Sequence, residues 1–520
     1  AISDLLEYRS DMMIAGGVDA DNSPMMYMCF SKTPAFTKGE NPRPFDEDSG
    51  GVMIGEGLGM VVIKRLEDAE RDGDRIYAVV KGIGTSSDGK FKSIYAPRSG
   101  GQAKALRRAY EDANVDQLSI GMIEAHGTGT AAGDVAEFEG LKEVFTEKKP
   151  EKSGYPDYQH IALGSIKSQI GHTKAAAGIA GLIKTVLALH HKILPPSINI
   201  DHPSKKLGIE KTPFYLNTEP RPWITDGEPR RAGVSAFGFG GTNFHYVLEE
   251  FQAVHSGAFR MHKTSKTVFL SAATPQELDK ACNNLLAELG TEGAEQRHLQ
   301  LLESSLENSI PKKHARLGFV TESLENTLEF LGQAISTLES NDEKLEWNVK
   351  GISYREKGLD TKGKVVALFS GQGSQYMNMA KELFFNFPAM TTPFCELDKL
   401  FIEKNGKSDA SARPLSDLVF PIAVFDDEEL VAQQAQLQLT ENVQPAIGGI
   451  SAGLLRIARD AGLQIDFAAG HSFGELTALW AAGVIAEDDY YKLAYARGQA
   501  MAAPDDPDFD AGSMLAVMGK

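Results

Sequence analysis

Ser472 stands in Gly470-His471-Ser472-Phe473-Gly474, with an apolar run before it and a helix-forming run after it. Small residues two before and two after a serine suit a sharp strand-turn-helix elbow, which exposes the hydroxyl. Such a serine is a candidate nucleophile for acyl transfer, and it needs a base to take its proton. His471 is adjacent but points the wrong way from an elbow, and no histidine follows it in the chain. A second set of residues lies earlier. His126 falls in "EAHGTGTAAGDVAE" (124–137), and Lys167 and His172 fall in "IALGSIKSQIGHTKAAAGIAG" (161–181). Two neutral imidazoles converging on one point can donate hydrogen bonds to a carbonyl oxygen that becomes an enolate. A nearby lysine helps to hold protons and charge in register. Taken singly, each residue has a plainer reading. A lone histidine in an apolar setting is more often a satisfied core or cap residue than a catalyst. A lone Arg497 in "YARGQAM" (495–501) would be an ion pair on a helix surface. The combinations carry the signal.

The elements around these residues follow from pattern. Residues 1–250 alternate strand-like runs ("GMVVIKRL", "IYAVVKGIG", "GMIEAHG", "HIALGSI") with helical ones ("GGQAKALRRAYEDAN", "AAAGIAGLIKTVLALHH"). That alternation predicts a layered α/β architecture. His126 then sits at the end of a strand, Lys167 and His172 precede a small-residue helix, and "GVSAFGFGGTNFHYVLEE" (233–250) is a glycine loop between two strands. "GVMIGEGLGMVV" contains G-x-G-x-G but runs into a strand, whereas a dinucleotide fingerprint must open a helix. Those glycines read as close backbone packing. Residues 251–362 lose glycine and gain charge. Short strands ("TVFLSAA", "RLGFVT") alternate there with amphipathic helices ("TPQELDKACNNLLAELG", "ESLENTLEFLGQAISTLES"), a small α+β module. From "KVVALFSGQGSQYMNMA" onward, residues 363–520 begin a second α/β unit.

The bulk composition excludes several classes. The chain has 520 residues, 42% hydrophobic and 24% charged, so several domains of an ordinary globular protein are expected. A net charge of −18 argues against a nucleic-acid partner. No apolar run approaches the roughly 20 residues of a membrane span. The three cysteines, Cys29, Cys282 and Cys395, are too scattered for a disulfide framework or a CxxC metal site, which fits a reducing cytoplasm. Each reads as a buried structural thiol. The chain opens on "AISDLLEYRSDMMIAGGVD" without an initiator methionine or signal peptide and stops at "SMLAVMGK", so both ends are expected to be cut from something longer.

Together the first-region motifs resemble the β-ketoacyl synthases of the thiolase-like superfamily, over residues 1–250. The resemblance implies a thiolase-like layered fold and a Cys-His-His site. His126 and His172 match its two histidines, Lys167 its active-site lysine, and Glu137 the acid thought to orient that lysine. Thr128 and Thr130 match threonines that touch a phosphopantetheine arm. Phe239 matches a gating phenylalanine whose N–H helps to form an oxyanion hole. The implied reaction is a decarboxylative Claisen condensation of an acyl thioester with malonyl on acyl carrier protein. The family's nucleophilic cysteine would lie before Ala1. "FSGQGSQY" (369–376), "QPA" (444–446), "GHSFGE" (470–475) and "YARGQAM" resemble the malonyl-CoA:acyl carrier protein acyltransferases, over residues 363–520. That resemblance implies an α/β-hydrolase-like fold with an inserted ferredoxin-like subdomain. Ser472 takes the nucleophile's place, and Arg497 that of the arginine pairing with the malonyl carboxylate. Gln372 and the N–H of Phe473 take the place of the oxyanion donors. The family's base histidine would lie beyond Lys520. Phe473 is compatible with malonyl and does not exclude methylmalonyl.

A ketosynthase, a linker and an acyltransferase in this order resemble type I polyketide and fatty-acid synthases. "DADNSPMMYM", "GIGTSSDGKFKSIYAPRSGGQAKAL" and "RRAGVSAFGFGGTNFHYVLEE" look most like the bacterial omega-3 polyunsaturated fatty acid synthases. Acyl carrier protein, malonyl-CoA and a second copy of the chain are the implied partners, with no metal and no directly bound cofactor. By itself the chain is expected neither to condense nor to complete transacylation. A modular polyketide synthase, a non-condensing ketosynthase-like scaffold and a degradative thiolase are the alternatives. The retained histidines and lysine speak against the scaffold. The paired histidine motifs and the acyltransferase region speak against the thiolase.

Overall fold

The computed structural model describes residues 1–32, 35–90, 96–147, 158–225, 227–251, 266–307, 310–340, 344–360, 362–405 and 413–502. Residues 91–95, inside the "GIGTSSDGKFKSIYAPRSGGQAKAL" segment, and the closing "SMLAVMGK" lie outside them. The chain divides into two compact units. One holds residues 1–259 with 367–464 and 468–520, and the other holds 260–366 with 465–467.

In the first unit, β1 (Met12–Asp19) and β2 (Gly57–Lys64) form an antiparallel pair. A six-stranded mixed sheet follows. Its strands in chain order are β3 (Val79–Ser87), β4 (Met122–Glu124), β5 (Ile161–Gly164), β7 (Phe214–Leu216), β9 (Arg231–Gly238) and β10 (Thr242–Glu249). The intervening β6 (Ile193–Leu194) pairs separately with β8 (Arg221–Pro222). Across the sheet the order is β3-β10-β9-β4-β5-β7. Strands β9, β4, β5 and β7 run parallel, and β10 is antiparallel to both its neighbours.

The period of two in a strand separates the layers. Ile123, Ile161, Leu163, Phe214 and Leu216 share a core with the helices Ser99–Ala113 and Ala131–Phe145. Their alternates Met122, Ala162 and Tyr215 join the core that contains Ala188 and Leu189 of the helix Ala177–His191. The sheet is therefore covered on both faces, as the alternation of strands and helices predicts. Close approach has a visible cause at Gly84, where a Cβ would lie 1.8 Å from the carbonyl oxygen of Ala105. The glycines of "GVMIGEGLGMVV" also serve packing, since a Cβ on Gly55 would meet the Ile170 carbonyl at 2.2 Å.

The second unit is an antiparallel sheet of β11 (Lys266–Ala272), β12 (Ala315–Thr321), β13 (Glu346–Val349) and β14 (Ile352–Arg355), in the order β11-β12-β14-β13. Helices Pro275–Leu289 and Leu324–Ser340 bury Leu278, Cys282, Leu331 and Ala334 with the sheet's Val268, Leu317 and Tyr354. Burial pushes the Cys282 thiol up to about 12, as expected of a structural cysteine. Cys29 departs from that expectation. It is exposed on the helix Pro24–Ser31, which buries none of its residues, and Cys395 is half-buried.

After residue 366, β15 (Val366–Phe369) and β16 (Phe467–Gly470) form a two-stranded sheet beside helices that include Thr440–Asp460, Gly474–Ala481 and Glu487–Met501. The ferredoxin-like subdomain implied by resemblance has no counterpart among the described residues.

Candidate active sites

The first site is built on the loop that leaves β4. Two carboxylates three residues apart on one helical face, Asp134 and Glu137, reach back to that loop. Glu137 accepts the N–H of His126 and of Gly127, each at 2.7 Å. Asp134 accepts the N–H of Gly129 at 3.1 Å and of Phe45 at 2.8 Å. Thr130 caps the same helix, its Oγ1 accepting the N–H of Gly133 at 3.2 Å, and lies 3.0 Å from the Thr128 hydroxyl. The Lys167 Nζ donates to the carbonyl oxygen of His126, tying the loop after β5 to the loop after β4. Glu137 thus holds the backbone beside Lys167, and its two oxygens are engaged by amides.

His126 and His172 meet edge to face, their ring centroids 5.4 Å apart. Burial holds both imidazoles below their ordinary range, with the Lys167 charge adding to it; His172 lies at about 3. Both are neutral near pH 7. The Nδ1 of His172 accepts the backbone N–H of Lys174 at 3.0 Å, so its proton is on Nε2. Burial also lowers Lys167 and raises Glu137 to about 7, each shift disfavouring the charged form. Beneath them the buried Lys184 and Glu124 pair at 2.8 Å, and Glu124 accepts the N–H of Ile166.

Phe239 lies at the exposed turn between β9 and β10, 70% accessible, and the ring packed against His126 is that of Phe237, at 5.8 Å. Sequence reasoning passed over Phe237, Asp134 and Lys174. Asp134 was discoverable, since it shares a helical face with Glu137.

The second site is the elbow between β16 and the helix Gly474–Ala481. Ser472 has φ +53°, a conformation uncommon for a residue with a side chain. The flanking glycines are required by contact. A Cβ on Gly470 would come within 2.0 Å of Gly474, and one on Gly474 within 2.2 Å of the Phe369 carbonyl oxygen. The turn closes through Gly474 N–H to His471 O at 2.9 Å. A Cβ on Gly371 would lie 3.2 Å from the Ser472 Cβ, which brings the loop carrying Gln372 to the elbow, while the Gln372 amide donates to Thr440 at 3.4 Å.

The Phe473 side chain is fully buried with Val443, Ile447 and Ala494. The Arg497 guanidinium lies 5.9 Å from the Phe473 ring centroid and donates to the buried Gln444 amide oxygen. Gln444, within the quoted "QPA", is the fixing residue the sequence left without a role.

A cavity of about 480 Å³ elsewhere in the first unit is lined by Trp223, Arg221 and Asp417 among others and by none of these residues. Among the described residues no group of His, Cys, Asp and Glu is arranged to hold a metal, and no helix is long and apolar enough to cross a membrane.

Four family profiles match the chain. They are "Beta-ketoacyl synthase, N-terminal domain" over residues 1–69, "Beta-ketoacyl synthase, C-terminal domain" over 77–201, "Ketoacyl-synthetase C-terminal extension" over 203–321 and "Acyl transferase domain" over 366–518. A polyunsaturated fatty acid synthase polypeptide of a Thraustochytrium species is 39% identical over 100% of this chain and 19% of its own length. Polyketide synthase GfsA of Streptomyces halstedii is 31% identical over 96% of this chain and 6% of its own length. Among solved structures, the ketosynthase from module 6 of the bacillaene synthase of Bacillus subtilis is 34% identical, with a TM-score of 0.47, covering 65% of this chain and 58% of that one. The chain spans no more than about a fifth of the length of these two synthases. It carries a β-ketoacyl synthase region followed by an acyl transferase region, and so belongs with the ketosynthase–acyltransferase segments of polyunsaturated fatty acid and polyketide synthases.

Proposed function

We propose that this chain is the condensing and malonyl-loading segment of a multifunctional synthase making polyunsaturated fatty acids, with residues 1–250 as ketosynthase, 251–362 as linker and 363–520 as acyltransferase. The observation that carries the reading is the buried, neutral His126–His172 pair, with the Nε2–H of His172 free of the Nδ1 contact that fixes its tautomer. Two such donors suit the oxygen of a malonyl thioester as charge develops on it. The bond to the malonyl carboxylate breaks, carbon dioxide leaves, and its electron pair forms the enolate. The enolate carbon then attacks an acyl thioester held on a cysteine contributed by sequence preceding Ala1. A carbon–carbon bond forms, the carbon–sulfur bond breaks and the cysteine thiolate leaves. Thr128 and Thr130 line the approach of the phosphopantetheine arm. Lys167, its ammonium on the His126 carbonyl, holds the first imidazole's backbone while Glu137 fixes the loop. Phe239, at the exposed hairpin turn, gates entry.

In the acyltransferase, the Ser472 oxygen attacks the thioester carbonyl of malonyl-CoA, its proton passing to a histidine supplied by sequence beyond Lys520. Coenzyme A leaves as the thiol, and the malonyl ester passes to the thiol of acyl carrier protein. The N–H of Phe473 and Gln372 face the developing oxyanion, and Arg497, steadied by Gln444, takes the free carboxylate. Acyl carrier protein and a second ketosynthase are the partners, in the cytoplasm, and the phosphopantetheine arm is the carrier's own. A modular polyketide synthase would use the same two sites, and product analysis separates the readings. The test of the ketosynthase is decarboxylation of malonyl carrier protein by the full-length synthase. His126→Ala and His172→Ala are each expected to lower kcat by about 100-fold, and wild-type rates in both would refute the reading.

A further inference from the structure

We infer that Lys174 is a positioning residue for His172, its ammonium anchoring a backbone conformation that aims the Lys174 amide at the imidazole. The inference rests on the ketosynthase reading above.

Lys174 has φ +47°, in the left-handed region that residues with side chains seldom occupy. In that conformation its N–H points at the Nδ1 of His172 from 3.0 Å. An ammonium has three N–H donors, and three acceptors surround this one. They are the Asn22 Oδ1 at 2.9 Å, the Gly55 carbonyl oxygen at 2.9 Å and the Asp19 carboxylate at 3.1 Å. These acceptors come from the end of β1, from the turn after it, and from the segment that brackets His172 by backbone hydrogen bonds. The His172 N–H donates to the Met53 carbonyl at 2.7 Å, and the Gly55 N–H to the His172 carbonyl at 3.0 Å.

The Lys174 side chain is only about one-tenth exposed, so its anchors face little competition from water. Each part has a separable task. Bridging to residues 53–55 fixes the backbone of His172, whereas the Lys174 amide fixes the ring and keeps the proton on Nε2. Strained backbone persists only where surrounding contacts over-determine it, and here the ammonium supplies them. The lysine charge also disfavours protonation of His172, after burial and Lys167. Lys174 touches no reacting atom in this scheme; it acts through the imidazole.

The full-length synthase tests this with malonyl carrier protein as substrate. Lys174→Met removes the anchors. Lys174→Gly removes them too but accepts positive φ without strain, so it keeps part of the amide's aim without the anchors. Lys174→Met is expected to lower kcat for decarboxylation by about tenfold or more, and Lys174→Gly by less, with KM within about twofold of wild type in both. Malonyl loading at Ser472 is expected to be unchanged and reports an intact polypeptide. A purely structural role would lower thermal stability and leave kcat of the folded protein alone, and that result overturns the inference. So does wild-type kcat in Lys174→Met.

If Lys174→Met also loses loading, Asn22→Ala removes a single acceptor. A smaller fall in kcat is then expected, and none overturns the proposal. His172→Ala is measured in parallel. If it decarboxylates like wild type, the ketosynthase reading itself fails. If it is inactive while the Lys174 variants are unaffected, only this inference fails.

Discussion

At the scale of single residues, protonation states set what each site can do. His172, held at about 3 by burial and the Lys167 charge, stays neutral and remains a donor through Nε2. A histidine whose folded pKa is depressed takes up its proton only well below the ordinary value near 6.5. Side-chain nitrogen NMR of His172 is therefore expected to show no titration from about pH 8 to about pH 5. A midpoint near the ordinary value would contradict the burial argument. In the acyltransferase, the Arg497 guanidinium is held against Gln444 and beside the Phe473 ring. Arg497→Ala is expected to reduce the preference for malonyl over acetyl groups by about 10- to 100-fold, read from competing loading rates. Equal preference in variant and wild type would remove Arg497 from carboxylate recognition.

At the scale of elements, each site depends on a turn that only certain residues permit. The elbow needs glycine at 470 because the Gly474 backbone lies where its Cβ would go, and at 474 because the Phe369 carbonyl does. Gly474→Ala drives a methyl into the Phe369 carbonyl, and it is expected to cost about 1–3 kcal/mol and to lower the melting temperature. An unchanged melting curve would show that the elbow has room to shift. Much of this was legible in advance. Small residues around Ser472 announced the elbow, and the alternating strands and helices of residues 1–250 announced a layered sheet. What could not be read was pairing across long separations. The Asp134 contact with Phe45 spans 89 residues and that of Lys174 with Asn22 spans 152. No local period encodes either. The misreading of Cys29 has a related cause. An apolar "PMMYMCF" run suggested burial, yet the helix it forms leaves Met25 and Met28 more than half exposed.

At the scale of the whole molecule, both regions of the first unit share packing. Arg221, buried after β7, donates to the Phe420 carbonyl and to Asp417 at 2.9 Å, and Ile422 joins the core beneath the six-stranded sheet. Removing the guanidinium leaves these buried acceptors unpaired. Arg221→Met is expected to destabilise the unit by about 3–5 kcal/mol, read as a lower denaturant midpoint. A midpoint equal to wild type would show that the two regions do not depend on this contact. If one polypeptide both loads malonyl and condenses it, malonyl must first appear on Ser472. The full-length synthase is exposed briefly to malonyl-CoA, digested, and its peptides mapped by mass. A malonyl ester is expected on the peptide carrying Ser472 and none in Ser472→Ala. A malonyl adduct that persists on that protein after Ser472→Ala, at the wild-type level, would contradict it.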